Sequence, residues 1–252
     1  YAKLKNIAAR DDSVLADKIA QLIIWFSLKK KDLNEEDKSR LDSSLVEVYK
    51  RYGITFDNST IVDENGNFRT MPILSDWYEI LYQEQDTRHL AVVLSRYVTG
   101  SAAAMAGRND IELNNKYIVL DLSGMPDDMI ADGTFWATSI AYDLIMNCED
   151  ELSALLADEL WSLVGATANP QAAGFVLEMV KTIRGLGGIA VTSTQGMQDL
   201  FSLEGGSYGK GILDSSRIKL VMQMEEQEAR LIQDKLNLSE DEVRQITRFR
   251  RG

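Results

Sequence analysis

Two adjacent acids close a short apolar run in Ser153-Ala154-Leu155-Leu156-Ala157-Asp158-Glu159-Leu160-Trp161. A strand that delivers two carboxylates at its carboxyl end suits nucleotide hydrolysis. The first, Asp158, can hold magnesium through its water shell, because that ion keeps several waters and prefers hard oxygen. The second, Glu159, can orient the attacking water. The same pair also suits a helix start, with Asp158 as N-cap and Glu159 as a first-turn acid on the positive end of the dipole. Asp121 ends a similar run from Ile118, but Leu122-Ser123-Gly124 follows it instead of a second acid, which favours a turn or cap. Thr194 and Gln195 follow the run Ile189 to Ser193. A polar amide there can respond to a γ-phosphate or position water, while Thr194 can equally start a helix. Arg184 ends a helical stretch before Gly185-Leu186-Gly187-Gly188. A cation there offsets the helix dipole and the glycines make a C-cap; an arginine finger reaching a neighbouring subunit's nucleotide is the sharper alternative.

The companion that such acids need is missing. Nowhere in the sequence is there a G-x-x-x-x-G-K-[ST] loop to cradle phosphates. Gly205-Gly206-Ser207-Tyr208-Gly209-Lys210-Gly211 resembles one, but Glu204 stands at the first glycine and Gly211 at the closing hydroxyl, so it reads as a surface loop. A single cysteine, Cys148, and a single histidine, His89, exclude a disulfide framework and a Cys/His zinc site, and fit a reducing, cytoplasmic setting. The formal charge of −12, with only 27 Lys and Arg, disfavours sequence-independent attachment to nucleic acid. Arg244, Arg248, Arg250 and Arg251 lie beside an acidic stretch and read as a solvated face. No apolar run approaches the roughly 18 residues of a membrane span, and no signal-peptide core follows Tyr1-Ala2-Lys3-Leu4-Lys5.

A chain of 252 residues with 45% apolar content can bury a substantial core. Apolar residues recur at helical spacing from Ser13 to Lys30, with Asp12 or Ser13 as N-cap. A second helix is expected from about Asn34 to Tyr52, loaded with acids at its start and stopped by Gly53. A third runs from Pro72 through Gln83 and a fourth from Thr87 to Tyr97. After a small-residue loop, Gly100 to Gly107, the pattern becomes α/β: apolar runs at 117–122, 154–157, 188–193 and 218–222 alternate with helix-forming stretches at 127–146, 171–184 and 196–212. Continuous apolar runs between helices signal parallel strands buried on both faces, in a doubly wound sheet. Ligands bind beyond the carboxyl ends of such strands, where Asp121, Asp158, Glu159, Thr194 and Gln195 fall.

The order Pro72-Ile73-Leu74-Ser75-Asp76, Tyr97-Val98-Thr99-Gly100, Tyr117 to Leu122, Ala157-Asp158-Glu159-Leu160-Trp161, Arg184, Thr194-Gln195, Ile212 to Ser216 and Leu238 to Glu242 resembles the large ATPase of conjugation and type IV secretion machines. This is the VirB-four family, of the kind found in Gram-positive conjugative elements. The resemblance covers nearly the whole chain. It implies an α/β fold: a RecA-like P-loop NTPase core, residues 108–252, carrying the Walker B strand, with an inserted all-helical subdomain and connection, residues 1–107. It implies ATP and Mg2+ as cofactors, with Asp158 holding magnesium through water, Glu159 activating water, Gln195 answering the γ-phosphate, Thr194 near the nucleotide and Arg184 a trans-acting finger. It further implies a homo-oligomer, a hexamer in the intact protein, at the cytoplasmic face of the inner membrane with other secretion components. The family carries its phosphate loop upstream of the helical subdomain, which implies a fragment that lacks the P-loop strand and is inactive alone. A DNA-translocating coupling ATPase and a non-catalytic interaction module are the alternatives; net charge gives DNA binding no support.

Overall fold

A computed structural model describes residues 12–108, 115–146, 152–158, 160–164, 169–194 and 197–249. The chain divides into two compact units, Tyr1–Leu120 and Asp121–Gly252.

In the first unit the expected helices form where their caps allow. Helix α1 (Val14–Lys29) starts at Ser13, whose side chain accepts from the Ala16 amide. Asn58, which opens the 3-10 turn Asn58–Ile61, secures the same end: its Oδ1 accepts from Val14 N–H at 2.9 Å and its Nδ2 donates to the Asp12 carbonyl at 2.9 Å. Helix α2 (Glu35–Arg51) is capped by Asn34, which accepts from Asp37 N–H at 2.7 Å, and Gly53 leaves it in the left-handed region at φ 75°. Helix α3 (Leu74–Gln83) begins two residues after Pro72, because the Asp76 carboxylate turns back to accept from Ile73 N–H at 2.8 Å. Helix α4 (Arg88–Val98) follows.

Their apolar stripes close one core. Trp25, Phe26, Leu41, Leu45, Trp77, Leu81, Leu90, Leu94 and Tyr97 are all buried. Trp25 meets Tyr97 edge-on at 5.2 Å and Phe26 meets Trp77 at 5.7 Å. The Trp77 indole is buried without leaving its N–H unpaired, since it donates to Ser44 Oγ at 2.8 Å.

The second unit is α/β. Helix α5 (Ile130–Met146) precedes strand β1 (Ser153–Ala157); α6 (Trp161–Val164) and α7 (Pro170–Thr182) cross over to strand β2 (Gly188–Thr192). The strands pair in parallel, Ser153 opposite Gly188 through Ala157 opposite Thr192. Helices α8 (Met197–Leu200), α9 (Ser207–Ser215), α10 (Glu226–Leu236) and α11 (Glu240–Arg248) complete the unit. The α10–α11 pair has its own small core of Ala229, Val243 and Ile246.

Three expectations are corrected here. Residues 117–122 and 218–222 join no ladder among the described residues, where the sheet has two strands instead of four. An apolar run becomes a strand only by pairing, and these two lack a neighbour on which to pair. Among the described residues the sheet is also covered on one face, not two. Helix α5 and the 3-10 turn Ile183–Leu186 pack beneath it, burying Leu155, while Leu156, Ile189 and Val191 on the opposite face are 74%, 56% and 51% exposed. Finally, the helix-forming stretch at 196–212 is interrupted, and most of the segment read as a surface loop, 205–211, lies in helix α9. Glu204, Gly205 and Gly206 all take positive φ, separating α8 from α9.

Candidate functional site

The parallel register determines what meets at the carboxyl end of the sheet. One step past the last strand pair, Ser193 N–H donates to the Ala157 carbonyl at 3.0 Å, so the ladder carries on until Asp158 and Ser193 are neighbours. Side chains alternate along each strand. Asp158 therefore follows Ala154 and Leu156 onto the uncovered face, and Ser193 follows Ile189 and Val191 onto the same face; both are exposed. There the Ser193 hydroxyl donates a hydrogen bond to Asp158 Oδ1. The Asp158 carboxylate is thus tied across to the neighbouring strand at the position where ligands of α/β sheets bind.

Glu159 and Gln195 lie outside the described residues. Thr194, half-buried, directly follows Ser193 at the end of β2. Arg184 is exposed in the 3-10 turn that precedes β2, so it stands at the amino end of that strand while Asp158 stands at the carboxyl end. The strand rise puts roughly 15 Å between these two ends, so within one chain the structure does not bring Arg184 to Asp158. The glycines around Arg184 act as expected. Gly187, at φ 74°, caps the turn by donating to the Arg184 carbonyl at 3.2 Å. At Gly188 a Cβ would lie 2.8 Å from Ile183 Cγ1 and 3.0 Å from its carbonyl oxygen, so the strand can start there only without a side chain.

The competing acids have other work. Asp121 is a turn residue: its carboxylate accepts from Ser123 N–H at 2.9 Å, and that backbone bond, with the Ser123 side chain, holds its carboxyl below the usual range. His89 belongs to the helical unit, with Nε2 2.8 Å from Asp37 Oδ1; Cys148 lies outside the described residues. Lys210 of the glycine-rich segment sits inside α9, preceded by helix and turn instead of a strand, so no phosphate loop is built there. Arg244 pairs with Asp241 at 2.7 Å, and Arg230 grips Glu240 through two contacts of 2.8 and 2.7 Å, as a solvated charged face would.

Among the described residues no group of three or more His, Cys, Asp or Glu side chains could enclose a metal. The donor set at the strand ends, a carboxylate with a hydroxyl beside it, nevertheless fits Mg2+. That ion is held by one or two carboxylates together with substrate phosphates and waters, not by an all-protein cage. Ser193 was hidden in the sequence by one residue of boundary: with the run read through Ser193, the search for ligands begins at Thr194, whereas β2 ends at Thr192.

No family model matches the chain, and no curated protein does. Among solved structures it is similar to VirB4 of Thermoanaerobacter pseudethanolicus, with 30% sequence identity and a TM-score of 0.84, over 99% of this chain and 69% of that chain.

Proposed function

The chain belongs to the VirB4 family, and from that premise we propose that it is the catalytic part of an ATP-hydrolysing motor in a type IV secretion or conjugation machine. On this reading residues 108–252 form a RecA-like core and residues 1–107 an inserted helical subdomain. The observation that supports it most is the Asp158 carboxylate at the carboxyl end of β1, bonded to the end of β2 and followed at once in sequence by Glu159.

Mg2+, when bound, would neutralise charge on the phosphates. Asp158 would hold it through water. Glu159 would orient the attacking water and accept its proton. Gln195, with Thr194 before it, would answer the γ-phosphate. Arg184 would serve the nucleotide of an adjoining subunit, a role consistent with its distance from Asp158 along β2. Such a finger requires an oligomer, proposed to be a hexamer at the cytoplasmic face of the inner membrane alongside other secretion components. No helix among the described residues is long and apolar enough to cross a membrane, so attachment would run through those partners. With no phosphate loop in the sequence, the chain by itself would turn over no ATP. A DNA-translocating role would require a basic channel, which the charge of −12 does not favour.

The test is ATP hydrolysis by the intact protein. Glu159→Gln is expected to lower the rate by roughly 100-fold or more while nucleotide binding persists, and Asp158→Asn to abolish Mg2+-dependent turnover. Hydrolysis undiminished in both variants overturns the reading; the 252-residue chain hydrolysing ATP as fast as the intact protein overturns the account of the missing loop.

A further inference from the structure

We infer that Ser193 is a positioning residue for Asp158, holding the metal-binding carboxylate from the adjacent strand; this rests on the reading of Asp158 given above. Ser193 is not needed for the fold beneath it. Its side chain is exposed on the uncovered face, and its backbone already has a partner in the Ala157 carbonyl. What the hydroxyl adds is the hydrogen bond to Asp158 Oδ1.

An aspartate at an exposed strand end has two rotatable bonds, and ordering it at the moment a metal arrives costs conformational entropy. A donor fixed by the ladder removes part of that cost beforehand. The Ser193 amide is anchored at 3.0 Å to the residue preceding Asp158, so the two side chains start from a set spacing and one rotamer of each completes the bond. A hydrogen bond to a charged acceptor is stronger than one between neutral groups. A carboxylate offers about four lone-pair sites, and the Ser193 bond takes one of them. The same contact joins Asp158 to the end of β2, just before Thr194.

The test uses the intact protein with Mn2+ as a spectroscopic stand-in for Mg2+, its binding in the presence of ADP followed by electron paramagnetic resonance. Loss of a side chain that orients a metal-holding group can weaken metal binding by about tenfold. Ser193→Ala is expected to weaken Mn2+ by about that factor and to raise the Mg2+ concentration for half-maximal hydrolysis in parallel, with metal-free ADP binding unchanged. Ser193→Thr, which keeps the hydroxyl, is expected to restore both. Wild-type Mn2+ affinity in Ser193→Ala, or an equal loss in Ser193→Thr, overturns the inference. Asp158→Asn separates the two layers. If it loses Mn2+ while Ser193→Ala keeps it, this inference alone fails; if Asp158→Asn binds Mn2+ normally, the reading of Asp158 fails and the inference with it.

Discussion

Tyr49 carries a pH dependence that one side chain sets alone. It is buried in α2, and burial pushes its phenol up to about 12, against an ordinary value of about 10. The folded value is raised, so the stabilisation is complete below the unfolded value and is lost as pH rises through the folded one. Between pH 10 and 12 the wild type is therefore expected to lose roughly 2 kcal/mol that Tyr49→Phe does not, read as denaturant midpoints of the two proteins converging or crossing over that range. Parallel midpoints throughout would show that the phenol is not held neutral. At this scale the sequence is legible where chemistry is local. Asp158 could be singled out because two acids after an apolar run is a pattern of neighbours, and Asp121 could be read as a turn because Ser123 and Gly124 follow it. Ser193 could not, because its partner is 35 residues away and only the strand register brings them together.

Among elements, the helical unit was legible because caps and stripes are written contiguously: Ser13, Asn34 and Gly53 each act where they stand. What ties those helices together was not. Asp37, buried at the start of α2, meets His89 at the start of α4 at 2.8 Å and Lys30 just past the end of α1 at 3.4 Å, so three helix ends meet on one carboxylate. Burial alone would raise the Asp37 carboxyl; the hydrogen bonds from His89 and Lys30, with their charges, outweigh it and bring the group below its ordinary value. A depressed carboxyl contributes stability above the unfolded value of about 4, lost as pH falls through the folded value. Asp37→Asn is expected to cost about 1 to 3 kcal/mol near neutral pH, with the gap to wild type closing as pH drops below about 4 in thermal unfolding followed by circular dichroism. A gap of constant size down to pH 2 would remove the charge from the explanation. The α8–α9 break has the opposite history. Gly205-Gly206 is a visible turn signal and takes positive φ as a turn would, but the residues after it, read as a surface loop, are helical from Ser207.

For the molecule as a whole, apolar runs in the sequence announce strands without saying which of them have partners. Of four runs, two pair among the described residues, because a strand is a relation between segments and the sequence supplies only one side of it. The result is a sheet whose Leu156 and Val191 are register partners, side by side and exposed. Exposed apolar surface beside unpaired strand edges promotes association. The 252-residue chain is expected to self-associate with rising concentration in sedimentation velocity, and Leu156→Lys with Val191→Lys to suppress it; a concentration-independent monomer in the unsubstituted chain would refute this. The bare face also sets an energy scale. Covering Leu156, Ile189 and Val191 would add roughly 1 to 2 kcal/mol for each side chain, together a sizeable part of the 5 to 15 kcal/mol by which a typical domain is stable. The rigidity of the α/β unit is therefore not an intrinsic constant of this chain: it is a quantity that whatever lies on that face can turn up or down, and Asp158 and Ser193 sit where the change would be felt first.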